Sequence, residues 1–259
     1  VNSIGSLEGK NVVITGGGAG IGWGIAQACC NAGAHVFFGQ RSANGEAKAE
    51  LLRGSGGDAT FRQLDVSDPS SIAEFAASAT ERFGRIDALI NNAGVTIEGD
   101  FLAFAAEDLE RLWATNVRSI FLLTQALVPA MPRGASVLNI SSNHSVASVP
   151  GYEMYAATKG AIAAMTRAMC TSLGHRGIRV NTLSPGLTRT EAVQEVIDRS
   201  PELERSFNAM HADGRFATVE EIGAVAAFLV SDAAAAVTGA DLVADHGLAV
   251  QLCRDDELK

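Results

Sequence analysis

The chain has 259 residues, 47% of them hydrophobic, with 27 glycines and a formal net charge of −9. A chain of this length buries roughly three quarters of the surface it exposes when unfolded, so its core needs neither disulfides nor a metal. The acidic balance, with no basic block anywhere, argues against nucleic acid and anionic membrane surfaces as partners.

The cysteines Cys29, Cys30, Cys170 and Cys253 follow neither zinc-knuckle nor CxxC spacing and read as reduced thiols of a cytoplasmic protein. The N-terminal stretch, Val1 to Lys10, has no apolar signal region, and the longest apolar run falls far short of a membrane span. Two patterns carry no weight. Asn139-Ile-Ser and Asn143-His-Ser are glycosylation sequons without a secretion signal, and the retention-like tail Asp255-Asp-Glu-Leu ends in Lys259.

In chain order, Asn11 to Thr15 is a β-branched run that predicts a buried strand. Gly16-Gly-Gly-Ala-Gly20-Ile21-Gly22 follows, then a helical segment to Ala32. A strand, a glycine turn and a helix N-terminus make an anion site, because glycines admit a pyrophosphate to the backbone and helix amides bind it. No register of these glycines fits GxGxxG; the pattern is Thr-Gly-x-x-x-Gly-x-Gly. Residues 35–39 predict strand two, with Gln40 and Arg41 at its end, and 46–53 an exposed helix. Strand three spans 60–64 and ends at Asp65-Val66, with Ser67 or Asp68 capping a helix over 70–83. Strand four covers 86–90 and leads into Asn91-Asn92-Ala93-Gly94. A long helix over 107–130 carries Asn116, strand five (135–140) ends at Ser142, and a helix spans 155–173. Strand six (178–183) is followed by a break at Ser184-Pro185-Gly186 and a polar, partly helical insertion over 187–214. A helix over 220–230 and a short strand over 240–244 complete the chain.

Short apolar strands alternating with amphipathic helices predict right-handed βαβ crossovers and one parallel sheet covered on both faces. No linker, repeat or low-complexity segment interrupts the pattern, so one domain is expected. The distinctive glycine and polar clusters all fall at strand carboxyl ends, the rim where such sheets bind ligands.

Tyr155 and Lys159 stand four apart, one helical turn, and so share a helix face. Bringing a phenol from pKa ~10 to ~7 takes about 4 kcal/mol. A unit positive charge roughly 4 Å away supplies about that much at an effective dielectric near 20. In a dry cleft Lys159 is thus expected to make Tyr155 a proton-transfer group.

With these residues in place the sequence resembles the classical short-chain dehydrogenase/reductase family. The resemblance rests on Thr15 to Gly22, Asp65, Asn91-Asn-Ala-Gly94, Asn116, Ser142 with Tyr155 and Lys159, and Pro185-Gly-Leu-Thr-Arg-Thr190, with Gly214 to Ile222 and Asp245-His-Gly247 in support. It spans about residues 8–250. It implies a Rossmann-type doubly wound α/β sheet of about seven strands, and an oxidoreductase moving a hydride between a nicotinamide cofactor and a carbonyl or secondary alcohol.

By the same resemblance Tyr155 is the general acid or base, Ser142 holds the reacting oxygen, Lys159 lowers the Tyr155 pKa and holds the ribose, and Asn116 keeps a water behind Lys159. The cofactor is expected against Gly16, Gly20, Ile21, Gly22, Gln40, Arg41, Asp65, Val66, Asn92, Ala93, Gly94, Pro185, Gly186, Thr188 and Thr190. Asp65 would meet the adenine and Thr190 the carboxamide. Tyr152 is expected as a pocket wall and His144 as a substrate contact, with residues 187–214 as a substrate loop or lid. No metal site is expected, since His211 and His246 have no ligand company.

Two positions depart from the family pattern. Thr188 stands where a branched apolar residue is common, and Gln40 stands where NAD-preferring members carry an aspartate. Gln40 brings no negative charge to repel a 2′-phosphate, and Arg41 beside it suits one, so NADP(H) is the favoured cofactor. Gln40 also suits a plain ribose, which keeps NAD(H) as the alternative. Sugar or dihydrodiol dehydrogenation is the alternative reaction. A nucleotide-binding protein without turnover is expected to lack one of Asn116, Ser142, Tyr155 and Lys159, and all four are present. The resemblance further implies a homotetramer paired through the helices near 107–130 and 155–173. The consecutive Phe121, Leu122 and Leu123 exceed one buried stripe and supply a motive.

Overall fold

Seven strands form one parallel sheet, and their order turns back on itself beside the first. The computed structural model describes residues 5–251; Cys253 and the tail at 255–259 lie outside them. The strands are β1 (Asn11–Thr15), β2 (His35–Gln40), β3 (Asp58–Gln63), β4 (Ala88–Asn91), β5 (Ser136–Ile140), β6 (Arg179–Pro185) and, later in the chain, β9 (Asp241–Ala244). Their order is β3-β2-β1-β4-β5-β6-β9, all parallel. The chain runs outward from β1 to β3 and then returns to the other side of β1. That reversal opens a crevice at the carboxyl ends of β1 and β4.

Strand alternation builds two cores. On one face Val12, Ile14, Val36, Phe38 and Ile90 pack with Ile25, Ala26 and Cys29 of α1 (Gly20–Asn31) and with Ile222 and Ala226 of α9 (Val219–Val230). On the other, Val13, Phe37, Leu89 and Val137 meet Phe75 of α3 (Pro69–Phe83) and Leu123 and Leu127 of α5 (Ser119–Leu127). The period of two along each strand is what lets consecutive apolar residues serve opposite layers. Helix α2 (Gly45–Gly54) joins the first core through Ala49 and Leu52.

The helix expected over 107–130 is not continuous. It comprises α4 (Ala106–Trp113), a π-helical turn over Ala114–Arg118, α5, and a 3₁₀ turn over Val128–Ala130 at Pro129. A π turn accommodates one extra residue, and here it carries Asn116 at its centre. Helix α6 (Glu153–Gly174) starts two residues before Tyr155. Ser184 and Pro185 belong to β6, so the chain breaks only at Gly186, whose added Cβ would lie 2.5 Å from Asp245 Cβ.

The 187–214 insertion holds β7 (Thr188–Arg189), α7 (Glu191–Arg199) and α8 (Pro201–Ala209). β7 pairs with β8 (Ala217–Thr218) in a small parallel sheet that no sequence pattern signalled. Of the two helices, α7 buries Ile197 and α8 buries no residue. Among the described residues no helix is long and apolar enough to cross a membrane.

Candidate active site

The glycine turn is shaped by close approach. Gly16 has φ +69° and Gly20 φ +50°, and a Cβ on Gly22 would lie 2.0 Å from the Gly16 carbonyl oxygen. Asn92 locks this turn: its Nδ2 donates to the carbonyls of Thr15 at 2.9 Å and Gly16 at 3.2 Å. The Thr15 hydroxyl in return accepts from the amides of Asn92 (3.0 Å) and Ala93 (2.9 Å). The ends of β1 and β4 are thereby held as one rigid floor.

At the end of β2 the Gln40 side chain lies across the turn, its Oε1 only 1.7 Å from where a Gly18 Cβ would sit. Its Nε2 donates to Asn44 Oδ1 at 2.6 Å and to the Ser42 carbonyl at 3.2 Å. Arg41 opens onto a cleft of about 630 Å³ shared with Arg62, Gln63 and Asp65. Asp65 accepts from the Ser67 amide (2.9 Å) and hydroxyl (2.6 Å). Ser67 is the main reason its carboxyl sits below the ordinary range; Arg41 adds its charge in the same direction. The Val66 side chain packs into the second core. Arg62, paired in register with Gly39, is a second cation here that no sequence motif marks.

The polar groups of the reactive end converge from β4, the π turn, β5 and α6. Asn116, 1% exposed, sends Nδ2 to the Val95 carbonyl (2.9 Å) and to Thr158 Oγ1 (3.1 Å), and its Oδ1 accepts from the Val95 amide (2.8 Å). Gly94 leaves room beside it: an added Cβ would stand 3.2 Å from Asn116 Oδ1 and 3.6 Å from Lys159 Nζ. Lys159 is buried, with Nζ donating to the Ile140 carbonyl at 3.2 Å and lying 5.4 Å from the centre of the Tyr155 ring. Ser141 Oγ donates to the Lys159 carbonyl at 2.9 Å, tying α6 to the end of β5.

The expectation that Lys159 alone brings Tyr155 toward neutrality needs correction. Burial raises the Tyr155 phenol above its ordinary value, while the Ser142 and Thr96 side chains beside it pull in the opposite direction. Burial also brings Lys159 down to about 8. Both groups lose solvent on entering the cleft, and desolvation disfavours each charged form. For Tyr155 this outweighs the two hydroxyls that favour the phenolate.

Thr96 is a second residue that the sequence did not reveal, since a lone threonine in a loop after β4 has no spacing signature. Tyr152 and His144 form an aromatic wall with Tyr155. The His144 ring stacks on Tyr152 with centroids 4.9 Å apart and meets Tyr155 edge-on at 5.4 Å. His144 Nδ1 bonds Ser148 Oγ at 2.8 Å, and burial holds its pKa below the ordinary imidazole value. The Tyr152 hydroxyl donates to Glu98 Oε2 at 3.1 Å, a carboxylate at the cleft mouth that likewise has no signature in the sequence.

Thr188 is buried and its Oγ1 donates to the Gly186 carbonyl at 3.0 Å, so the departure from an apolar residue is satisfied locally. Thr190 caps α7, accepting from the Val193 amide. His211 Nδ1 bonds the Phe207 carbonyl and His246 Nδ1 bonds Asp213, and among the described residues no group of three metal-ligating side chains converges.

A parallel sheet with this reversal, a glycine cradle that a Cβ would fill, and buried Ser142, Lys159 and Asn116 around a half-buried Tyr155 define a dinucleotide-dependent enzyme site. Comparison with known proteins gives the class. Residues 16–249 match the family described as Enoyl-(Acyl carrier protein) reductase. The chain is 35% identical over 247 residues to 2,5-dichloro-2,5-cyclohexadiene-1,4-diol dehydrogenase of Sphingobium indicum, covering 93% of this chain and 97% of the relative. It is 34% identical over 250 residues to D-threitol dehydrogenase of Mycolicibacterium smegmatis, covering 95% of each. A solved short-chain dehydrogenase/reductase from Serratia marcescens superposes with a TM-score of 0.89 at 33% identity, covering 94% of this chain and 99% of that one. The chain belongs to the short-chain dehydrogenase/reductase family and is an oxidoreductase of nicotinamide-dependent hydride transfer.

Proposed function

We propose that this chain is an NADP(H)-dependent alcohol dehydrogenase or carbonyl reductase acting through Tyr155. The observation that carries the reading is the half-buried Tyr155 phenol, flanked by the Ser142 and Thr96 hydroxyls one helical turn from the buried Lys159. Hydride transfer to a carbonyl leaves an alkoxide, which needs hydrogen-bond donors and one proton. Ser142 steadies that oxygen, Tyr155 gives or takes the proton, and Lys159 favours the phenolate. Asn116, fixed to Val95 and Thr158, holds the proton path behind Lys159 in line.

The bound nicotinamide supplies or accepts the hydride. Gly16, Gly20, Ile21 and Gly22 would receive its pyrophosphate, Asn92 to Gly94 and Pro185 to Thr190 its nicotinamide half, and Asp65 and the Val66 backbone its adenine. A cradle whose glycines have no room for a Cβ fits that group. NADP(H) is favoured because Gln40 adds no carboxylate and Arg41 and Arg62 face one cleft. NAD(H) remains the alternative, since the Gln40 carboxamide also bonds ribose hydroxyls.

Glu98 and Tyr152 at the cleft mouth favour a second reading in which the substrate is a diol or sugar alcohol. A carboxylate accepts from substrate hydroxyls, and two relatives are named for a cyclic diol and for threitol. The chain works as one domain with 187–214 as its lid, in the cytoplasm and as a homotetramer. Support for the last is that Trp113 is 44% and Phe121 52% exposed on the α4–α5 segment. The test is a spectrophotometric screen of ketones, aldehydes, secondary alcohols and polyols with both nicotinamide cofactors. Turnover of none of them with either cofactor would remove the proposal.

A further inference from the structure

The positive end of α1 receives no help from its own helix. Ala19 is its N-cap, no side chain caps it, and its first turn contains no acidic residue. The amides there carry a partial positive charge that attracts an anion. The anion that meets them comes from the lid: Glu191 Oε2 accepts from the Gly20 amide at 3.1 Å. Glu191 also stands in the first turn of α7, so one carboxylate lies between two helix N-termini. Thr190 closes over the same point, its Cγ2 3.2 Å from where a Gly20 Cβ would sit.

We propose that Glu191 is a built-in competitor for the diphosphate of the dinucleotide. The inference rests on the dinucleotide reading above. A diphosphate drawn to the Gly20 end of α1 and the Glu191 carboxylate cannot share one amide, and like charges at that distance repel. Cofactor binding therefore expels Glu191 and frees the first turn of α7. The lid is built to yield, because α7 buries only Ile197 and α8 buries nothing. Its root rests on the Phe216 ring, 4.6 Å below the Arg189 guanidinium, and Arg189 ties α7 and α8 to one another through Gln194 (2.8 Å) and Glu204. Glu191 thus sets cofactor affinity and couples occupancy of the glycine turn to the position of the lid.

The test compares wild type with Glu191→Gln and Glu191→Ala by calorimetric titration of NADPH, NADH and adenosine. Both variants are expected to bind the dinucleotides about two- to fivefold tighter, the range for an exposed charge at a helix end. Adenosine, which lacks the diphosphate, is expected to bind all three proteins alike. Without cofactor, the Gly20 amide is expected to exchange faster in Glu191→Ala than in wild type. Unchanged or weaker dinucleotide binding in both variants overturns the proposal, as does an equal gain for adenosine. Failure of either dinucleotide to bind any of the three proteins removes the dinucleotide reading, and this inference with it.

Discussion

The Asn116 carboxamide and the Val95 backbone close on each other in a double hydrogen bond, with Nδ2 2.9 Å from the carbonyl and Oδ1 2.8 Å from the amide. This pair imitates one rung of a sheet between a loop and a π turn. It fixes the strand-four loop against α6 through the further bond to Thr158. Asn116→Leu would fill the volume but leave both Val95 groups unpaired. At about 1–3 kcal/mol for each unpaired group, and with Val95 half-buried, a loss at the low end of about 2–6 kcal/mol is expected in urea unfolding. A change below about 1 kcal/mol would show that Val95 does not depend on this clamp.

The π turn marks the limit of what the sequence discloses. Each strand of the seven-stranded sheet, with its carboxyl-end cluster, is legible because β-branched apolar runs and clustered glycines each dictate one kind of local backbone. One inserted residue at Asn116 leaves the apolar spacing on either side nearly unchanged, so the pattern reads as one helix. Thr96 and Glu98 were hidden for another reason. Their company, Tyr155 and Tyr152, comes from α6 and the turn before it, more than 50 positions away, and only the fold brings them together. Burial conceals the Tyr155 pKa in the same way: charge proximity is visible in an i, i+4 spacing, whereas desolvation is not.

Tyr155→Phe deletes the proton-transfer hydroxyl and keeps the ring that packs on His144. Turnover is expected to fall about 10²- to 10⁴-fold, the usual worth of a positioned acid or base, with cofactor affinity close to that of wild type. Steady-state kinetics with calorimetry of cofactor binding separates the two. Retention of activity within about tenfold would remove Tyr155 from the acid–base role.

Lys159 is expected to cost the unliganded protein stability. Its pKa falls from 10.5 to about 8 on folding. Between those values the unfolded chain binds more protons than the folded one, so stability rises with pH through that window. Below about pH 8 both states carry the charge and the full penalty stands, of the order of 3 kcal/mol by linkage. Lys159→Met is therefore expected to lose turnover and yet unfold at higher urea than wild type at pH 7. The gain is reduced by the Ile140 carbonyl left without its donor, and it shrinks as pH approaches 10.5. A Lys159→Met protein less stable than wild type at pH 7 would contradict this sign.

Phe121, 52% exposed on α5, is the residue on which the proposed tetramer can be tested. Its neighbour Leu123 is buried in the core, so the two side chains serve different surfaces. Phe121→Asp is expected to leave the fold intact and lower the mass seen in sedimentation at micromolar concentration. A wild-type monomer under those conditions would dispose of the assembly altogether.

The choice of nicotinamide cofactor turns on charge at the end of β2. Gln40 folds over Gly18 and spends its amide hydrogens on Ser42 and Asn44, so it offers a 2′-phosphate neither repulsion nor a free donor from that amide. The guanidinium of Arg41 is the nearer source of selectivity in the sequence, and Arg62 lines the same cleft. Charge-assisted bonds contribute about 1.5–3 kcal/mol, and an exposed arginine falls at the low end, about tenfold in preference. Against this, Asp65 faces Arg41 and draws on the same charge. Wild type is thus expected to favour NADPH over NADH by about tenfold in kcat/KM. Arg41→Ala is expected to erase most of that ratio while leaving kcat/KM for NADH nearly unchanged, and Arg62→Ala to lower it less. An NADH preference in wild type that survives the loss of Arg41 would mean that Gln40 reads the ribose hydroxyls and that Arg41 serves Asp65 instead.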